Sequence, residues 1–141
     1  MDIAKRDFNA IIRAIREEDG RYSVSAYYFL RQALDYSMKR IDQEEHNDVS
    51  RHISGPELLE GIRLFALEQF GPMSLYLLNN WGVKNCKDFG NIVFNLVESQ
   101  VLGKTENDSP EDFMHGYDFK SAFSSPFTPE EGLKYKRPRL L

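Results

Sequence analysis

The sequence predicts a mainly α fold, a single compact domain of about five amphipathic helices. Residues 56 to 123 have a winged-helix-like order, with room for a small β hairpin. Three observations lead there. Apolar residues recur three and four positions apart in several separate runs. Gly, Pro and capping residues punctuate the gaps between those runs. A chain of 141 residues with 41% hydrophobic and 13% aromatic content is long enough for one core and too short for two good ones.

In the first run Phe8, Ile11, Ile12 and Ile15 share one helical face, and Gly20 after "REED" is the expected stop. Ser23 or Ser25 caps a second helix, "AYYFLRQALDYSMKRI", striped by Tyr27, Leu30, Leu34, Met38 and Ile41 and widened by Phe29, Ala33 and Tyr36. So apolar a helix belongs at the centre. "DQEEHNDVSRHI" loses the period and is expected to be a solvated loop. In "RHISGPELLEGIR", Ser54 and Glu57 have capping-box spacing and Pro56 sits in the first turn. Leu58, Leu59, Ile62, Phe65, Ala66 and Phe70 then form the third helix, which Gly71-Pro72 breaks. "PMSLYLLNN" makes a short fourth helix stopped by Gly82. Asn85 caps a fifth, in which Phe89, Ile92, Val93, Leu96, Val97 and Val101 recur; its β-branched residues suit a strand, but the spacing favours helix. Ser109-Pro-Glu-Asp can start one more short helix, and the aromatics after it follow no period. The domain is expected over residues 1–127, with 128–141, rich in Pro, Ser and charge, as an extended or disordered basic tail.

The charge is unevenly distributed. The net charge is −4, yet Lys134, Lys136, Arg137 and Arg139 all follow the last acidic residue, so the first 133 positions carry −8 and the tail +4. The acidic body repels phosphate backbones, and only the tail attracts them. The fifth helix and the segment after it offer Glu98, Glu106, Asp108, Glu111 and Asp112 where a duplex reader needs cations, which disfavours double-stranded DNA. "KYKRPRLL", a tyrosine among four cations, suits a single strand or structured RNA. The N-terminus alternates charge with apolar residues, unlike a signal peptide, and no run is long enough to span a bilayer, so a cytoplasmic location with no membrane partner is expected. A single cysteine, Cys86, suits a small core residue better than a disulfide or a zinc site.

No catalytic constellation stands out. Ser54 lies near His52 without a nucleophile elbow, and capping uses the same hydroxyl. Glu57 and Glu60 have the spacing of an acid and base pair, but also that of solvent-facing carboxylates near a helix N-terminus. Asp88-Phe89-Gly90 shares three letters with protein kinases and none of their other motifs. Glu111, Asp112 and His115 look like half of a carboxylate-histidine metal site whose second half is missing, and His46 and His52 have no cysteine partner. No catalytic, cofactor-binding or metal-binding residue is therefore assigned, and no cofactor is expected.

Three strings occur together in order: "RHISGPELLEGIRLFALEQFGP", "NNWGVKNCKDFGNIVFNLVESQVLGKTENDSPEDF" and "GYDFKSAF". Over roughly residues 20 to 127 the chain resembles an uncharacterised bacterial family of short proteins. That resemblance implies no activity, cofactor or catalytic residue to carry across.

The function expected is a non-enzymatic protein-interaction module in a cytoplasmic assembly, resting on the irregular aromatics of the late segment, Phe113, Tyr117, Phe119, Phe123 and Phe127. RNA binding through the tail is the first alternative, and an enzyme of unrecognised type built around Arg51, His52 or Glu57 is the second. The candidate interaction surface is Arg51, His52, Tyr117, Phe119, Lys134, Lys136, Arg137 and Arg139.

Overall fold

The structure is a computed structural model that describes residues 7–45, 52–103 and 108–127, with the backbone alone for 43–45. Among these residues it is mainly helical, as the spacing predicts. Helix α1 (Phe8–Glu18) starts at Asp7, whose carboxylate accepts from the Ala10 N–H, and buries Phe8, Ile12 and Ile15. Its cap falls at Asp19, one residue before the expected Gly20, where Asp19 turns extended and donates its N–H to the Ile15 carbonyl.

Helix α2 (Val24–Glu45) begins after Ser23, whose hydroxyl accepts from the Ser25 N–H at 3.0 Å. It is the central helix, with Tyr27, Phe29, Leu30, Ala33 and Leu34 all buried. The expected loop from residue 42 is corrected here, because α2 continues to Glu45. Glu and Gln are good helix formers, so an established helix propagates through them without an apolar stripe.

Helix α3 (Gly55–Phe70) opens with the predicted capping box. The Ser54 hydroxyl accepts from the Glu57 N–H at 3.2 Å, and the Glu57 carboxylate accepts from the Ser54 N–H at 3.1 Å. Leu58, Leu59, Ile62 and Ala66 then face the interior. The α2–α3 pair is the most extensive helix contact among the described residues. Gly61 lies at that contact, where a Cβ would fall 1.7 Å from the buried Ser37 Oγ.

A 3-10 turn (Gly71–Met73) leads into α4 (Ser74–Asn80). The buried Ser74 hydroxyl fastens that corner by donating to the carbonyls of Ala66 and Gly71. Helix α4 closes with Gly82 at φ 90°, while Val83 donates to Leu78 and Gly82 to Asn79, the paired bonds of a Schellman stop. Helix α5 (Cys86–Glu98) is capped by Asn85 and buries Phe89, Ile92, Val93 and Leu96. It closes with the same bonds, Val101 to Leu96 and Gln100 to Val97, with Gln100 in the left-handed position at φ 61°.

The late segment forms a 3-10 turn (Pro110–Phe113) capped by Ser109, a π turn (Lys120–Ser124) and a 3-10 turn (Ser125–Phe127). It crosses α5 and α3 first, then α4, as a strap. No strand follows α5 among the described residues, and residues 104–107, where the tip of a wing would fall, lie outside them. The tail, 128–141, also lies outside them.

Candidate interaction surface

The strap begins as core. Phe113 is buried edge-on against Phe94, and the rings of Tyr117, Phe119 and Phe123 form a mutual cluster with centroids 5.0–6.2 Å apart. Phe119 also meets Phe89 of α5 at 5.4 Å. The Tyr117 hydroxyl donates to the Leu59 carbonyl at 2.8 Å, and burial pushes its ionisation far above the usual tyrosine range. Cys86 donates its thiol to the Tyr117 carbonyl at 3.4 Å, and burial pushes that thiol up to about 11, which makes it a packing residue and a poor nucleophile.

The strap ends differently. Phe127 is 45% exposed, and the π turn before it packs on both the Gly71–Met73 turn and α4. On those two elements Met73 is 51% and Tyr76 64% exposed. Of the five large apolar side chains exposed among the described residues, Met73 and Tyr76 thus lie on the two elements that the π turn touches and Phe127 on the turn that continues it, the other two being Val24 and Met114. Single exposed apolar residues are ordinary, but a group on one surface is the usual mark of a contact site.

Two hollows flank the helices. Between α2 and α3 a groove of about 400 Å³ has the Tyr36 and Phe65 rings, 5.3 Å apart, with Asp35, Lys39 and Glu68 around them. Between α1 and α5 a cleft of about 340 Å³ is lined by Glu18, Asp19, Asn95, Glu98 and Ser99. Beside that cleft a polar seam ties the α1–α2 turn to α5. Tyr22 donates to the Asp88 carboxylate at 2.6 Å and accepts from the Asn91 amide, while Asn95 donates to both Asp19 and the Tyr27 hydroxyl at 3.0 Å. Burial, followed by the bond to Asp88, pushes Tyr22 up to about 12. The forked Arg21 guanidinium holds the Asp19 carboxyl well below the usual carboxylate range, with help from Asn95.

Of the sequence-predicted site residues, His52, Tyr117 and Phe119 are among the described ones. His52 is exposed and lines a hollow of about 10 Å³, room for one water, with Met38, Ile41, Asp42 and Ile53. Arg51, Lys134, Lys136, Arg137 and Arg139 lie outside the described residues, as does His46. The Phe119 ring is buried, and the half-buried Tyr117 is tied to α3 through its hydroxyl. Asp112 caps Ser109, and Asp88 belongs to the polar seam instead of an activation motif. Sequence reasoning missed Met73 and Tyr76. Their signal was present, since "PMSLYLLNN" carries more large apolar residues than one face of a seven-residue helix can bury.

Among the described residues, no helix is long and apolar enough to cross a membrane, and no group of three or more His, Cys, Asp or Glu is placed to hold a metal ion. No family model, curated protein or solved structure matches the chain.

Proposed function

We propose that the protein is an interaction module that binds another protein through the Met73, Tyr76 and Phe127 surface. The observation that carries this reading is the exposure of three large apolar side chains on the last turn of the strap and on the two elements that the π turn before it touches. Tyr and Met suit such a surface: a ring with a polar edge and a pliable thioether give contact area at low ordering cost. A photo-crosslinking residue at position 76, introduced in the native host, is expected to capture one reproducible partner. Capture is expected to fail when Met73→Ser and Phe127→Ser are added to a chain that still folds. Crosslinks that differ between replicates, or that persist with both substitutions, would remove the assignment.

The division of charge favours a second reading, in which Lys134, Lys136, Arg137 and Arg139 bind RNA beside an acidic body. Association would then weaken steeply with salt and disappear from a chain ending at residue 133. Equal RNA binding by the shortened chain would refute it.

A further inference from the structure

The open groove between α2 and α3 is floored by rings that the core uses on one side only. Tyr36 and Phe65 are both half-buried there, 5.3 Å apart, with the exposed Asp35 and Lys39 on one rim and the exposed Glu68 on the other. The rings continue beyond the groove. Phe65 meets Phe29 at 5.6 Å, Phe29 meets Phe70 at 5.6 Å, and Phe70 meets Trp81 at 5.7 Å. Phe29 is buried, whereas Phe70 and Trp81 are half-buried like the floor itself. A line of partly exposed rings thus runs from the groove to the corner where α3 ends.

The strap arrives at that same corner. Its π turn packs on the Gly71–Met73 turn, which directly follows Phe70, and the described part of the strap ends three residues later at Phe127. Phe65 lies six residues before Gly71, about 9 Å along the α3 axis. Leu133 lies six residues beyond Phe127, and six extended residues span about 20 Å. The basic segment 133–139 therefore starts within reach of the groove, with length to spare for passing round the helix.

Its composition suits the groove. "LKYKRPR" sets Tyr135 and Pro138, which stack on exposed aromatic rings, among Lys134, Lys136, Arg137 and Arg139. A guanidinium lies flat on an aromatic face while its N–H groups reach carboxylates, and Asp35 and Glu68 stand on opposite rims of an aromatic floor. Two carboxylates against one ammonium, Lys39, leave the rim negative on a body that is already acidic. We infer that the α2–α3 groove is the docking site of this chain's own segment 133–139, with Tyr135 and Pro138 on the Tyr36 and Phe65 rings and the cations facing Asp35 and Glu68. A tail held there is withheld from polyanions until a competitor displaces it. The contact rests neither on the Met73, Tyr76 and Phe127 surface nor on RNA binding, and each can fail without the others.

Paramagnetic broadening on the full chain tests it. A nitroxide on Gln32→Cys stands on one rim, and in a second preparation a nitroxide on Gln69→Cys stands on the other. Both sites are exposed, and the buried Cys86 stays unlabelled under native conditions. In dilute solution the amides of Lys134, Tyr135, Lys136 and Arg137 are expected to broaden at least about twofold with either label and to recover in about 0.5 M salt. Asp35→Lys together with Glu68→Lys, both at exposed positions, is expected to abolish the broadening. No broadening from either rim, or broadening that survives the charge reversal, would overturn the proposal. Equal broadening from a nitroxide on Glu98→Cys, beside the α1–α5 cleft, would overturn it as well, because the tail would then range over the acidic surface at large. So would broadening as strong between tagged and untagged chains in a mixture, which would make the occupant the tail of a second copy.

Discussion

Replacing Gly61 by Ala tests how closely α2 and α3 approach. In an exposed helix interior this change stabilises by about 1 kcal/mol, because glycine is the poorer helix former. Here the new Cβ would fall 1.7 Å from Ser37 Oγ and 2.6 Å from Ser37 Cβ, where an ordinary contact needs well over 3 Å. Rotating the hydroxyl away does not relieve the second clash, and it breaks the bond that Ser37 donates to the Ala33 carbonyl at 2.6 Å. The helices must separate by more than an ångström along the most extensive helix contact among the described residues. Overpacking of that kind costs about 3 kcal/mol, at the upper end of its usual range, leaving a net loss of about 2 kcal/mol after the gain in helix propensity. In a domain of this size that lowers Tm by roughly 6–10 °C. The assay is urea and thermal unfolding followed by circular dichroism, with Ser37→Gly completing a double-mutant cycle. Ser37→Gly removes both clashing atoms, so the pair of changes is expected to cost less than the sum of the singles by at least about 1 kcal/mol. A Gly61→Ala chain as stable as the parent, or additive behaviour in the cycle, would refute the close approach.

Two further outcomes follow from bonds at helix ends. Ser54→Ala is expected to lower stability by about 1 kcal/mol in urea unfolding, since the Glu57 N–H then loses its capping oxygen; an unchanged midpoint would mean that the hydroxyl is not the cap. The Asp19 carboxyl is held low by Arg21 in the folded chain, so its contribution is fully present above the usual carboxylate range and is lost as the pH falls below about 4. Asp19→Asn is therefore expected to lose less stability than the parent between pH 4 and pH 2.5, and parallel profiles would contradict the pairing.

Much of the helical plan is local and was legible in the residues. A capping box such as Ser54 to Glu57 is closed by atoms three positions apart, and the Gly82 stop by a left-handed backbone that glycine adopts without strain, so neither depends on distant packing. The end of α2 was misjudged for the converse reason. Loss of an apolar stripe signals loss of a packing partner, not the end of a helix built from good helix formers. The candidate surface was less legible, because hydropathy ranks Phe119 and Phe127 alike although one is buried against Phe89 and the other is 45% exposed.

The sequence by itself determined the helices, their caps and stops, and the aromatic-rich segment that follows them, because each depends on residues within a turn or two of one another. Only the tertiary structure decided which aromatics are core and which face outward, and that Gly61 is the point where two helices nearly touch. It also decided that Tyr22 and Asp88, 66 residues apart, share a hydrogen bond. These are properties of surfaces brought together by folding. They depend on which faces meet and at what distance, and no local pattern of residues records that.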